Sequence, residues 1–317
     1  MHRWNALSEI SPDFGPSVVT LGNFDGVHLG HQAVLSRLVR RAAELGVPSA
    51  AVTFEPHPLA VLFPDRAPPR ISSDRQRMRL LEESGLDAIL VMEFTRELAS
   101  WTPEHFVREV FMKRLGARCV VVGEDTRFGT RNSGDVTTLR ELGSRLGVEV
   151  VVLSDLGGPV RWSSSLIRER LAVGDVAGAA GVLGRAHRVA GTVVHGDHRG
   201  RSLGYPTANL GPDSAGLIPA DGVYSGWLVR LDLPVGAPER ELPAAVSVGT
   251  NPTFDGTTRR VEAYVLDRTD LELYGERVAI DFTDYLRPTL RFGSVDDLLT
   301  QMKTDVDRCR SQLAPRS

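Results

Sequence analysis

Two imidazoles stand three residues apart at His28 and His31, with Gly30 between them, in the run Gly22-Asn23-Phe24-Asp25-Gly26-Val27-His28-Leu29-Gly30-His31. Ser17-Val18-Val19-Thr20-Leu21 just before it reads as a short buried strand. After it, from His31 to Leu45, apolar residues at Val34, Leu35, Leu38, Val39 and Ala42 follow the three-and-four spacing of a helix packed on a sheet, and Gly46 supplies a C-terminal stop. A strand that gives way to a helix presents unpaired N–H groups and the positive end of a dipole, which favour an anion. Gly22, Gly26 and Gly30 admit a ligand where a Cβ would collide. Taken singly, each histidine reads as an ordinary loop residue; together with the glycines and the helix start, the pair points to phosphate handling.

A second dense run, His195-Gly196-Asp197-His198-Arg199-Gly200-Arg201-Ser202-Leu203-Gly204-Tyr205-Pro206-Thr207-Ala208-Asn209, lies far downstream. Its glycines let a loop wrap closely round phosphates, and Pro206 stiffens the approach to Thr207 and Asn209. Those two residues alternate along an extended segment and share a side, offering hard oxygen ligands suited to Mg²⁺ bound with ATP. A plain glycine-rich hairpin is the competing reading. Glu262, in Val261-Glu262-Ala263-Tyr264-Val265, is aimed by strand alternation away from Val261 and Ala263.

The elements that must position these groups fall into two textures. Residues 1 to about 185 alternate strand-like and helix-like segments, as in a parallel α/β sheet. Beyond about His187, short strands separated by Gly, Pro and Asp turns predict an antiparallel barrel, with Gly191-Val194, Gly222-Tyr224, Ala244-Val248 and Val261-Leu266 among its strands. A closing helix is predicted with Val295, Leu298, Leu299, Met302, Val306, Cys309 and Leu313 on one face.

With 317 residues the chain is long enough for two cores, and it shows no internal repeat or low-complexity linker. A formal net charge of -3 and a pI near 6.3 give no electrostatic case for nucleic acid. No apolar run follows the first charges, so neither a signal peptide nor a membrane span is expected. Cys119 and Cys309, the only cysteines, offer no metal spacing and suit a reduced cytoplasm.

The histidine run resembles the H-x-G-H motif of Rossmann-like adenylyl- and cytidylyltransferases, in the fuller form found in bacterial FAD synthetases. The resemblance implies that a phosphate oxygen of one substrate attacks the α-phosphorus of ATP and pyrophosphate leaves. It assigns His28 and His31 to the phosphate oxygens, and Gly22, Asn23, Phe24 and Gly30 to ATP. Arg161-Trp162-Ser163-Ser164-Ser165-Leu166-Ile167-Arg168 resembles the I-S-S-T-x-I-R signature of the same superfamily. By that likeness Ser164 and Ser165 bind ATP phosphate and Arg168 grips the leaving pyrophosphate; read alone, the serines also fit a simple helix N-cap. Trp162 replaces the family's Ile, and Ser165 its Thr. Thr53-Phe54-Glu55-Pro56-His57-Pro58 resembles the T-F-x-P-H-P loop that lies near flavin and ATP, which implicates Phe54 and His57, with a rigid structural turn as the competing reading. Gly123-Glu124-Asp125-Thr126-Arg127-Phe128-Gly129 resembles G-x-D-F-x-F-G, which implicates Asp125 in flavin binding; Thr126 stands where the family has its first Phe.

The downstream run resembles the riboflavin kinase signature G-x-x-x-G-R-x-L-G-x-P-T-A-N, and the likeness extends through Gly222-Val223-Tyr224, the segment from Ser247 to Phe254, Glu262 and Leu273-Tyr274-Gly275. It implies that Glu262 is the base for the riboflavin 5′-hydroxyl, that Thr207 and Asn209 hold Mg²⁺-ATP, and that Gly200 and Arg201 line ATP.

The expected architecture is α/β: a Rossmann-like nucleotidyltransferase domain over 1–186, and an antiparallel β-barrel with a closing helix over 187–317. The order of the two resemblances is that of bifunctional bacterial riboflavin kinase/FAD synthetases. It implies riboflavin, FMN, FAD and ATP as ligands, Mg²⁺ as cofactor, a cytoplasmic location, and neither nucleic acid nor membrane as partner; a homo-oligomer stays open. Two rivals stand beside it: an adenylyltransferase for another phosphorylated small molecule, and a flavin-binding regulator, motivated by Thr126 and Trp162.

Overall fold

The computed structural model describes residues 1–154, 157, 160–196, 203–250 and 259–313. They divide into two compact units, Met1–Pro69 with Asp74–Ser163, and Arg70–Ser73 with Ser164–Ser317.

In the first unit β1 (His2–Trp4), β2 (Ser17–Leu21), β3 (Ser49–Glu55), β4 (Ala88–Glu93), β5 (Ala117–Gly123) and β6 (Glu149–Leu153) form a parallel sheet in the order β1-β4-β3-β2-β5-β6. Its helices are α1 (Leu29–Leu45), α2 (Pro58–Leu62), α3 (Asp74–Glu82), α4 (Pro103–Phe106, widening into a π-helical stretch Val107–Arg114) and α5 (Val136–Leu146). The central strands are covered on both faces, which is why β2 reads as an unbroken buried run rather than an alternating one. Val18 packs on the side of Leu35 and Leu38 of α1, while Val19 and Leu21 join Phe106 and Phe111 of α4.

The sheet is laid down from β2 through β3 to β4, and β5 then returns to the far side of β2. The direction of winding reverses between β2 and β5, which opens a crevice at the carboxyl ends of these two strands. Gly22–His31 follows β2, and the Glu124–Phe128 turn follows β5, so both loops emerge there. Helix α1 begins at Leu29, two residues before the expected His31, because the His28 side chain caps it. Gly46 ends it in the left-handed conformation at φ 65°. Strand β3 runs on to Glu55, so Phe54 belongs to the strand rather than to the loop after it.

In the second unit β7 (His187–Val194), β8 (Thr207–Leu210), β9 (Gly222–Arg230), β10 (Glu241–Thr250), β11 (Arg259–Val265) and β12 (Arg277–Arg287) close an antiparallel barrel in the order β10-β11-β8-β7-β12-β9. Strand alternation fills the interior with Val246, Val248, Val261, Ala263, Ile280 and Phe282, all essentially inaccessible. Two helices precede the barrel, α6 (Ser164–Ala172) and α7 (Val176–Leu183), and α7 packs on β7 and β12. The closing helix α8 (Val295–Gln312) is capped by Ser294, whose Oγ accepts the Asp297 N–H at 3.1 Å. Its buried C-terminal half carries Val306 and Cys309, and Asp305 there takes the Arg287 guanidinium of β12 at 2.6 to 3.0 Å. Val295 departs from the predicted apolar face and is 58% exposed in the first turn.

Burial pushes the Cys119 thiol up to about 11 and the Cys309 thiol up to about 12, so neither forms thiolate near neutral pH. Among the described residues no helix is long and apolar enough to cross a membrane.

Candidate active sites

The two histidines of the β2 loop meet face to face. His28 is the N-cap of α1, its Nδ1 accepting the His31 N–H at 3.4 Å, so a neutral His28 ring carries its proton on Nε2. The rings stack with centroids 3.7 Å apart and planes 23° from parallel, and Phe24 meets His31 edge-on at 5.2 Å. Burial, with the neighbouring His28 as the smaller cause, holds the His31 imidazole well below its ordinary 6.5. His31 therefore rests neutral at pH 7, with Nδ1 buried and lacking a hydrogen-bond partner.

The loop follows a strained path to bring the rings together. Phe24 and Val27 take left-handed φ values of 50° and 40°, a conformation that costs residues other than glycine roughly 1–3 kcal/mol and recurs at ligand clamps. A Cβ on Gly22 would come within 3.0 Å of the Phe24 ring, and one on Gly30 within 3.1 Å of the His28 ring. These glycines make room for the protein's own rings. Phe24 itself is 1% exposed, so its ring belongs to the core beneath the loop rather than to a ligand surface.

The loop is tied to the end of β3. Asn23 Nδ2 and His57 Nε2 lie 3.4 Å apart, and His57 caps α2 by accepting the Leu59 N–H on Nδ1 at 3.2 Å. That cap puts the proton of a neutral His57 on Nε2, a pairing best satisfied when the Asn23 amide turns its oxygen toward the ring. The Asn23 carbonyl accepts from Thr53 Oγ1 at 3.3 Å and from Arg77 Nη1 at 3.0 Å. Arg77 was not singled out from the sequence. Its signal was available: in α3 it shares the buried face with Met78 and Leu81, where a charged residue needs partners. Phe54, half-buried, packs edge-on against Phe94 at 5.4 Å.

Beyond β5, exposed Asp125 pairs with Arg161 Nη2 at 2.5 Å, which joins the Glu124–Phe128 turn to the start of the serine-rich run. The Trp162 carbonyl lies 3.6 Å from where a Gly30 Cβ would stand, so this run meets the histidine loop through main chain. The Trp162 ring turns toward Gly157, its Cδ1 3.2 Å from where a Cβ there would lie. Ser164, Ser165 and Arg168 are on α6, in the second compact unit, with Ser165 exposed and the other two half-buried.

The barrel assembles a different constellation. Glu262 of β11 stands directly opposite Asn209 of β8 on one side and Ser247 of β10 on the other. Thr207, two residues from Asn209, shares its face, and the Asn209 amide donates to the Thr207 hydroxyl at 3.3 Å. Buried Ala208, Val261 and Ala263 alternate with these residues, so the polar row lies on the outside of the barrel. Ser247 was quoted only within a motif, and the barrel register alone places it in the row. A Cβ on Gly196 would fall 2.6 Å from the Asn209 amide. His195 stacks on Tyr274 with ring centroids 3.9 Å apart. Gly200, Arg201 and the 251–254 part of the kinase-like motif lie outside the described residues.

A histidine pair at a helix N-terminus, on the switch point of a parallel sheet, and a carboxylate–hydroxyl–amide row on a closed barrel are two separate candidate sites, one in each unit. The FAD synthetase family matches residues 11–164, and the riboflavin kinase family matches residues 183–313. The chain is 35% identical over 289 residues to the bifunctional riboflavin kinase/FMN adenylyltransferase of Escherichia coli K12, covering 91% of this chain and 90% of that one. It is 38% identical over 318 residues to the protein of the same description from Pseudomonas fluorescens, covering 99% of both. A crystal structure described as a macrolide-efflux protein from Streptococcus pneumoniae superposes with a TM-score of 0.85 at 31% identity, over 97% of this chain and 98% of that one. The chain belongs to the family of bifunctional riboflavin kinase/FMN adenylyltransferases. It is an enzyme that phosphorylates riboflavin to FMN and adenylylates FMN to FAD, with ATP as co-substrate. The rival readings, another adenylyltransferase and a regulator, give way to this one.

Proposed function

We propose that adenylyl transfer takes place at the His28–His31 loop and riboflavin phosphorylation on the outer face carrying Thr207, Asn209 and Glu262. The observation that carries the first assignment is the stacked histidine pair at the N-terminus of α1, with His31 held neutral by burial. An anion beside the pair raises the pKa of both rings, so the arriving triphosphate recruits the protons that turn each imidazole into a better donor. An FMN phosphate oxygen attacks the α-phosphorus, the bond from that phosphorus to the bridging oxygen breaks, and pyrophosphate leaves with the negative charge. No protein nucleophile takes part, so His28, His31 and Asn23 act by positioning and by stabilising charge on the phosphate oxygens. Gly22, Phe24 and Gly30 shape that ATP loop. Phe54, His57 and Asp125 line the flavin side. By the serine-rich motif, Ser164 and Ser165 hold ATP phosphate and Arg168 takes the pyrophosphate as a fork.

On the barrel, Glu262 takes the proton from the riboflavin 5′-hydroxyl as its oxygen attacks the γ-phosphorus, and ADP departs. Thr207 and Asn209 are hard oxygen donors on one face, and the glycine cradle at Gly196 fits the Asn209 amide closely, so the residues present suit Mg²⁺ held together with ATP. Bound there, the ion would neutralise charge on the phosphates. Gly200 and Arg201 are assigned to ATP by their motif.

In this reading residues 1–186 carry adenylyl transfer and 187–317 carry phosphorylation. The slightly acidic chain works in the cytoplasm on small molecules without nucleic acid, and homo-oligomerisation is open. The test is His31→Ala assayed on one preparation for riboflavin to FMN and for FMN to FAD. Loss of FAD formation with FMN formation retained supports the division; loss of both in a folded variant overturns it.

A further inference from the structure

We propose that Arg77 is a positioning residue for adenylyl transfer, an inference that rests on the reading of the His28–His31 loop as the adenylylating site. The Arg77 side chain is 8% exposed, and its guanidinium serves two different sets of partners. Nη1 donates to the Asn23 carbonyl at 3.0 Å and to the Phe54 carbonyl at 3.3 Å. Nη2 lies 2.8 Å from Glu55 Oε2 and 3.4 Å from Asp74 Oδ1. One arm thus stitches two strand ends together, and the other compensates the buried charge with two carboxylates.

The stitched segments are the two that carry the candidate chemistry. Asn23 leads into the strained Phe24–Val27 turn that delivers His28 and His31, and its amide faces His57. Phe54 and Glu55 are the last residues of β3 before the Pro56-His57-Pro58 run. Parallel pairing joins β2 to β3 only as far as Leu21 opposite Val52, with one further bond from the Gly22 N–H to the Val52 carbonyl. Past that point the ladder has ended, and what holds Asn23 is Thr53 Oγ1 and Arg77 Nη1 converging on its carbonyl. A group that bonds main chain outside the regular ladder and carries a desolvated charge is poorly accounted for by packing alone. Its function here is to keep the donors of the β2 loop in register with the β3 loop at the moment of phosphorus transfer. A misplacement of about 1 Å at such a site can cost on the order of 10²-fold in rate.

The charge and the single nitrogen facing two carbonyls are what the role requires, which separates the informative variants. Arg77→Met keeps length and apolar bulk but removes both. Arg77→Lys restores an ammonium able to reach the converging carbonyls. The expected result for Arg77→Met is a fall of at least about 30-fold in kcat for FMN to FAD, with KM for FMN and ATP within threefold and riboflavin phosphorylation unchanged; the kcat-only loss marks an interaction needed in the transition state. Arg77→Lys is expected to recover to within about fivefold of the parent. Should Arg77→Met fail to fold, Thr53→Val removes the other donor to the Asn23 carbonyl and is expected to lower the same kcat about three- to tenfold. Adenylylation by folded Arg77→Met within threefold of the parent, a loss confined to KM, or an Arg77→Lys enzyme as impaired as Arg77→Met overturns the inference. His31→Ala run in parallel separates the two layers: if it retains FAD formation the site reading falls, and if it loses FAD formation while Arg77→Met does not, only the role of Arg77 falls.

Discussion

Glu262 and Asn209 face each other across the β11–β8 ladder as direct antiparallel partners. That register puts their Cβ atoms roughly 4.5–5.5 Å apart, so a base and a candidate ATP–metal ligand are held by paired main chain rather than by a loop. Glu262→Gln keeps the shape and hydrogen bonding but cannot accept a proton at neutral pH. FMN formation is expected to fall roughly 10² to 10⁴-fold while FMN to FAD conversion stays at the parent level. Paired assays on one preparation decide it; kinase activity within a few-fold of the parent would remove Glu262 from the role of base.

Gly30→Ala should injure adenylyl transfer without touching a single polar group. Its Cβ would press on the His28 ring at 3.1 Å, and that ring also accepts the His31 N–H. The expected loss is at least about tenfold in FAD formation, equivalent to about 1.4 kcal/mol of barrier, with FMN formation unaltered. An alanine enzyme that adenylylates at the parent rate would show that the histidine stack tolerates displacement.

The depressed pKa of His31 predicts a pH-dependent stability of defined sign. Below 6.5 the unfolded chain binds a proton at this ring before the folded chain does, so stability falls as the pH drops from 6.5 toward the lower folded value. His31→Gln lacks that ring. Calorimetric unfolding at pH 7.5 and 5.5 should show a smaller drop for His31→Gln than for the parent. Equal drops would mean that the buried ring titrates normally.

The kinase unit should need its two leading helices. Ile167, Leu171, Val176 and Ala179 are fully buried within it, the Ala220 N–H donates to the Leu171 carbonyl at 2.9 Å, and Gly174 lies close to the rings of Tyr224 and Tyr285. Exposing such side chains costs about 1.5–3 kcal/mol for each large one, against a total domain stability of about 5–15 kcal/mol. A fragment starting at Ser164 is therefore expected to fold and phosphorylate riboflavin, and one starting at Arg185 to unfold at a much lower temperature. Equal melting temperatures would assign α6 and α7 no part in holding the barrel.

Local pattern carried much of this molecule. The apolar run of β2, the periodicity of α1, the left-handed stop at Gly46 and the alternation around Glu262 are each written within a few neighbouring residues, and each is seen in the fold. What lies between distant segments was harder to read. Arg77 meets Asn23, Phe54 and Glu55 only because β2 and β3 pair in parallel and α3 returns beside their ends, a relationship set by topology rather than by spacing. The start of α1 moved to Leu29 because a side-chain cap, not apolar periodicity, defines it. Phe54 was assigned to a loop because the prolines that follow mark a break, although the strand continues as far as Glu55. Val295 shares the apolar phase of α8 but lies in its first turn, where it remains exposed.

The barrel wall has a consequence for how this enzyme can change over time. Along β8 and β11, residues that fill the interior and residues that face the candidate kinase chemistry occur at alternate positions. Stability and substrate preference are thus written in interleaved registers of the same strands, Ala208, Val261 and Ala263 serving one and Thr207, Asn209 and Glu262 the other. Mutations that drift inside the barrel can be absorbed by neighbouring apolar side chains while the outer row stays intact, and the outer row can be rewritten for a different acceptor alcohol with the interior left alone.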